Sequence, residues 1–119
     1  MLTGCGDSPD CTVTALSITP PTATANHVAA PPGNKVLFIG TDNDATLPSG
    51  CVVADVVVIR TDLKWTASDP VNVTIGNTQG VDYGLTTCNN ATSGPVTITA
   101  TGANSKNATI SGTASLTCN

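Results

Sequence analysis

The chain has 119 residues, enough for one domain with a real core and too few for two. Its net charge of −4 sets four Lys and Arg against eight acids, all aspartate, which excludes a nucleic-acid partner and a polybasic membrane patch. No apolar run approaches the ~20 residues that span a bilayer, and a Thr-, Ala- and Val-rich composition without glutamate favours strands over helices, so the chain reads as all-β.

Residues 1–10 form a Gly-, Asp- and Pro-containing arm ahead of a domain over residues 11–119. Within the arm, L-T-G-C has the form of a bacterial lipobox and marks Cys5 as a lipidation candidate. Two states of Cys5 follow: lipid-modified and cleaved, or part of an intact arm docked on a neighbour. T-V-T-A-L-S-I (12–18) is a first strand, stopped by Pro20 and Pro21. A Pro-, Ala- and Thr-rich connection then runs to a turn at Gly33 and Asn34, and K-V-L-F-I-G (35–40) is the second strand. T-D-N-D-A-T-L-P-S-G is a polar loop.

C-V-V-A-D-V-V-V-I-R (51–60) is the most apolar run, with Val53, Asp55 and Val57 on one face and Val52, Ala54, Val56 and Val58 on the other. A strand apolar on both faces is buried on both. Val52, Val53, Val56, Val57, Val58 and Ile59 are therefore either an insertion folded back over its own domain or an interface with another subunit. In D-L-K-W-T, Leu63 and Trp65 share a face, Trp65 being placed in the middle of the core. V-N-V-T-I (71–75) points Val71, Val73 and Ile75 inward. A Gly-, Asn- and Thr-rich stretch passes Cys88 and reaches Gly94. P-V-T-I-T-A then aligns Val96, Ile98 and Ala100, and the last strand puts Ile110, Gly112, Ala114, Leu116 and Cys118 on one parity. About seven short strands separated by turn signals predict a β-sandwich.

L-S-I-T-P-P-T-A-T, K-V-L-F-I-G-T, W-T-A-S-D-P (65–70) and G-P-V-T-I-T-A-T (94–101), in that order, resemble bacterial immunoglobulin-like domains of the Big2 type over roughly residues 12–117. The chain departs from that pattern with longer connections at 42–59 and 81–93, each holding a cysteine. The resemblance implies an immunoglobulin-like sandwich and an extracellular, non-catalytic module, with insertions as the place where such a sandwich carries specificity. In the seven-strand order it implies, Cys11 and Cys51 lie at one end and Cys88 and Cys118 at the other. The expected disulfides join Cys11 with Cys51 and Cys88 with Cys118, stapling a core poor in aromatics. Lipidation of Cys5 would account for the fifth cysteine.

Five cysteines without a C-x-x-C pair indicate an exported protein in an oxidising compartment rather than a zinc site. Asp42 and Asp44, in D-N-D, are a calcium candidate without the D-x-D-x-D-G spacing, and no other cofactor is implied. His27 has no partner nucleophile in sequence and reads as a surface-loop residue. The expectation is a non-enzymatic structural or adhesion-type module on the outer surface of a bacterium, contacting other protein subunits or surface proteins. Two alternatives stand beside it: the globular subunit of an extracellular filament or pilus served by a separate helical chain, and a carbohydrate-binding domain.

Overall fold

The computed structural model describes residues 14–42, 63–78, 80–104 and 107–119. Nine strands occur among them: β1 (Leu16–Thr19), β2 (Thr22–Ala25), β3 (Lys35–Leu37), β4 (Ile39–Asp42), β5 (Lys64–Ala67), β6 (Val73–Ile75), β7 (Leu85–Cys88), β8 (Val96–Ala103) and β9 (Thr109–Cys118). The fold is an all-β, immunoglobulin-like sandwich with nine described strands rather than about seven. The difference has three sources. The Pro/Ala/Thr connection contains β2, the Gly/Asn/Thr stretch contains β7, and the second predicted strand is broken at Phe38 into β3 and β4. The predicted strand over 51–60 lies outside the described residues.

One layer has the order β2-β9-β8-β5, and the other is built from β1-β4 and β3-β7-β6. Those last two sheets meet at Phe38, whose N–H donates to the Gly84 carbonyl at 3.0 Å. The first predicted strand stops at the prolines, and the chain changes layers there. β1 pairs antiparallel with β4, whereas β2, beyond Pro20 and Pro21, pairs parallel with β9. Proline removes a ladder donor, so the chain leaves one sheet at the point where it can no longer hydrogen-bond into it.

The central hairpin is the longest ladder, running from Val96 opposite Leu116 to Ala103 opposite Thr109. Its turn is an asparagine turn: Asn107 sits at φ 61°, and its N–H donates to the Asn104 carbonyl at 2.9 Å. The Asn104 side chain accepts from the Ala108 N–H at 3.1 Å. Asparagine tolerates the left-handed region and supplies its own acceptor, which explains the residue type at both positions.

The period-2 pattern places Val96, Ile98 and Ala100 of β8 and Ile110, Ala114, Leu116 and Cys118 of β9 in the core. Leu16, Ile18, Phe38 and Val73 meet them from the other layer. Each large aliphatic side chain buried this way stabilises by about 1.5–3 kcal/mol. β1 crosses β9 so closely that a Cβ at Gly112 would fall 2.4 Å from the Leu16 carbonyl oxygen. Val71 is a correction to the predicted strand over 71–75: it is 76% exposed. It belongs to a turn closed by the Val73 N–H donating to the Asp69 carbonyl, so β6 starts only at Val73.

Asp69 builds that turn. Its carboxylate accepts from the Asn72 side-chain amide at 2.8 Å and from the Asn72 backbone N–H at 3.2 Å. Those two bonds, the side-chain one first, hold the Asp69 carboxyl below its ordinary value of 3.8. A carboxyl with a lowered folded pKa stabilises the fold above its unfolded value and loses that contribution as pH falls through the folded one. The denaturation midpoint of the wild type relative to Asp69→Asn is therefore expected to fall as pH drops from about 5 to about 3. Urea titrations of both proteins at those pH values check it, and a constant difference would count against the turn.

Candidate functional site

Phe38 points into the core, so its neighbours alternate outward: Lys35 and Leu37 lie on the outer face of the β3-β7-β6 sheet, and Ile39 opens β4 on the outer side of its sheet. β7 alternates in step, with Thr86 and Cys88 buried and Leu85 and Thr87 on the outer side. The register sets Leu37 opposite Leu85 and Lys35 opposite Thr87. The Lys35 ammonium donates to the Thr87 hydroxyl at 2.8 Å, which holds the lysine stem along the sheet.

Two adjoining hollows indent this face. The larger, about 320 Å³, is walled by Leu37, Val81, Tyr83 and Leu85. The smaller, about 160 Å³, is bordered by Lys35, Thr74, Asp82 and Thr87. Asp82 and Leu85 belong to both. Asp82 is held in place by its own loop: its carboxylate accepts from the Thr78 N–H at 3.0 Å, and its N–H donates to the Thr78 carbonyl at 3.0 Å. Gly76 allows this, because a Cβ there would fall 2.2 Å from the Asp82 carboxyl carbon. The result is an apolar surface next to a polar recess with a cation and an anion at its rim. Such a surface can hold a complementary protein face by burying aliphatic area and pairing charges at its border.

A third depression, about 450 Å³, opens between the facing edges of β5 and β6 and is lined by Trp65, Ala67, Pro70, Val73 and Ile75. Trp65 borders it but is only 2% exposed, its ring belonging to the core. It meets the Tyr83 ring edge-on at 86° with centroids 6.2 Å apart. The Tyr83 hydroxyl accepts from the Leu63 N–H.

Of the sequence-predicted residues, Cys88 and Cys118 come together as a disulfide with a Cα–Cα distance of 5.8 Å. The bridge joins the ends of β7 and β9 and so ties one layer to the other. Beside it Thr92 clamps the end of β9, its hydroxyl accepting from the Cys118 N–H at 3.1 Å and its own N–H donating to the Cys118 carbonyl at 2.9 Å. Cys5, Cys11, Cys51, Asp44 and the interface candidates Val52, Val53, Val56, Val57, Val58 and Ile59 lie outside the described residues. Asp42 closes β4 opposite Leu16. Among the described residues no three His, Cys, Asp or Glu side chains gather as a metal site. His27 sits in a surface turn, where its Nδ1 lies 2.6 Å from the Asn119 backbone oxygen, which also accepts the His27 N–H at 2.9 Å.

No sequence motif marks Leu37, Val81, Asp82 and Leu85 as a group. Leu37 lies within the second predicted strand, and the other three belong to a stretch whose strand, β7, carries a weak alternation of leucine, two threonines and cysteine. Compared with protein-family models, with curated proteins and with solved structures, the chain matches none.

Proposed function

We propose that this protein is a non-enzymatic, exported structural or interaction module of the bacterial immunoglobulin-like type, making adhesion-type contacts at the cell surface through the outer face of β3 and β7. One observation carries the reading: Leu37 of β3 is 53% exposed and Val81 of the neighbouring turn 79%, both walling one hollow with Leu85, while Ile39 of β4, next along the chain from Phe38, is 52% exposed. Contiguous exposed aliphatic residues rimmed by polar ones mark protein contact sites. Supporting the family part of the reading, the first strand switches layers at its prolines and the Trp-containing strand β5 packs its indole into the core. The Cys88–Cys118 bridge suits an oxidising compartment. Among the described residues no helix is long and apolar enough to cross a membrane. A lipid on Cys5 would supply the attachment, its arm acting as the tether.

The filament reading uses the same face, with a second subunit as its occupant. The carbohydrate reading gains nothing from Trp65, whose ring is in the core and offers no face to a sugar.

Microspheres coated with the wild-type protein are expected to adhere to bacterial cells or to mucin- or collagen-coated surfaces. Spheres coated with the Leu37→Lys, Val81→Lys double variant are expected to adhere about tenfold less. Both substitutions are on the surface, so the melting midpoint should move by no more than the equivalent of about 0.5 kcal/mol each. Equal adhesion by the two proteins would remove this face as the contact. Concentration-dependent mass in the wild type, lost in the variant, would select the filament.

A further inference from the structure

β5 ends the sheet β2-β9-β8-β5 among the described residues, and an uncovered edge strand is a template for pairing with another chain. Its residues alternate in the direction of their backbone groups. Ser68 faces β8, its N–H donating to the Thr97 carbonyl at 2.9 Å. Two-residue periodicity then turns Leu63 and Trp65 toward the other side. On that side the groups are occupied by side chains. The Trp65 N–H donates to the Asn77 side-chain oxygen at 2.7 Å, and the Asn77 side-chain amide donates back to the Trp65 carbonyl at 3.1 Å. The Leu63 N–H donates to the Tyr83 hydroxyl. Asn77 thus makes with Trp65 the same reciprocal pair of bonds that a residue of a neighbouring antiparallel strand would make. Both caps come from the connection between β6 and β7, and Asn77 is itself exposed.

We propose that Asn77 and Tyr83 are edge caps that keep β5 from pairing with β5 of a second copy of this chain. The register identifies the partner. In an antiparallel β5–β5 contact centred on Trp65, the two Trp65 residues would exchange N–H and C=O bonds, and Leu63 would face Ala67. Three of the groups such a contact requires, the Trp65 N–H and carbonyl and the Leu63 N–H, are the ones the two side chains now hold. The contact is self-complementary, so it closes as a symmetric dimer. Exposed Lys64 on the same strand adds a charge that discourages edge-to-edge approach. This role goes beyond the contact face on β3 and β7 and uses a different layer of the sandwich.

The test compares wild type, Asn77→Ala, Asn77→Asp and the double variant Asn77→Ala, Tyr83→Phe by light scattering over a hundredfold concentration range. The exchange rate of the Trp65 amide is followed by NMR. Asn77→Ala is expected to speed Trp65 amide exchange about tenfold at the lowest concentration, as one protecting bond is lost. At the highest concentration its mass is expected to rise toward twice the monomer, with Trp65 protected again. The double variant, which keeps the Tyr83 ring against Trp65, should dimerise at lower concentration. Asn77→Asp retains the acceptor for the Trp65 N–H but sets a negative charge against the carbonyl, so it should stay at the wild-type mass with Trp65 protected. That comparison stands even where an alanine variant fails to fold. An Asn77→Ala protein that is folded and keeps the wild-type mass throughout overturns the proposal. So does a dimer in which Trp65 exchanges as fast as in the dilute variant, or a dimer formed by Asn77→Asp.

Discussion

Replacing Cys88 and Cys118 together by alanine is expected to cost about 3–4 kcal/mol and to lower the melting midpoint by roughly 10–15 °C. The two cysteines are 30 residues apart, and opening a loop of that length releases the unfolded chain from a constraint worth about 3.6 kcal/mol in the chain-entropy model. The effect is large here because of where the bridge sits. β7 and β9 belong to different layers, so the bond ties the two halves of the sandwich where their strands end. Both residues are 1% exposed, and alanine avoids placing an unpaired polar group there. Calorimetry of the variant beside the wild type checks the value. A shift of less than about 3 °C would show that Thr92 and the surrounding packing already hold that end closed.

Trp65→Ala is expected to cost about 3–5 kcal/mol, the range for emptying a large aromatic site in a core. The indole packs tightly against Gly84 and lies in ordinary contact distance of Gly40. A Cβ on Gly84 would lie 3.3 Å from its Cε2 and Cζ2, and one on Gly40 would lie 3.8 Å from its Cη2. Gly84 is further bound to its role by a φ of +77° and by the Phe38 carbonyl oxygen, 2.3 Å from where its Cβ would be. Trp65→Phe should cost much less than its lost volume suggests. Among the described residues the Trp65 indole nitrogen is buried without a hydrogen-bond partner, and phenylalanine removes that desolvated donor along with the second ring. Because Trp65 is the sole tryptophan, the denaturation curves have to be followed by circular dichroism. A loss below about 1 kcal/mol for Trp65→Ala would mean that the site collapses around the deletion.

The strands legible in the sequence are those with clean alternation of large apolar and polar residues. Val96, Ile98 and Ala100, and then Ile110, Ala114 and Leu116, form the longest antiparallel ladder with the parity their spacing predicts. β2 and β7 were not legible, and for a shared reason. T-A-T-A and L-T-T-C contain small or hydroxyl-bearing residues whose inward member is alanine, threonine or cysteine, so the hydrophobic contrast between faces is slight. Such segments are recruited as strands by neighbours, β2 by β9 and β7 by β3 and β6. Val71 failed in the opposite sense. Its alternation with Val73 and Ile75 is present, but Asp69 captures Asn72 and holds Val71 in a turn. A local side-chain hydrogen bond outweighed the period.

Composition and pattern by themselves determined that this chain is a small, weakly charged, all-β domain with a thin aliphatic core, since those properties follow from propensity and periodicity summed along the chain. Two placements were decided only by tertiary structure. Leu37 and Ile39 are exposed because Phe38 is drawn into the core between them, which turns its apolar neighbours to the outside, and the β6–β7 connection brings exposed Val81 beside Leu37. The capping of Trp65 by Asn77 and of Leu63 by Tyr83 joins residues 12 and 20 positions apart through a connection whose composition reads only as loop. No local rule carries that information, because a hydrogen bond from a loop side chain to a distant strand edge depends on where the two sheets leave that edge in space.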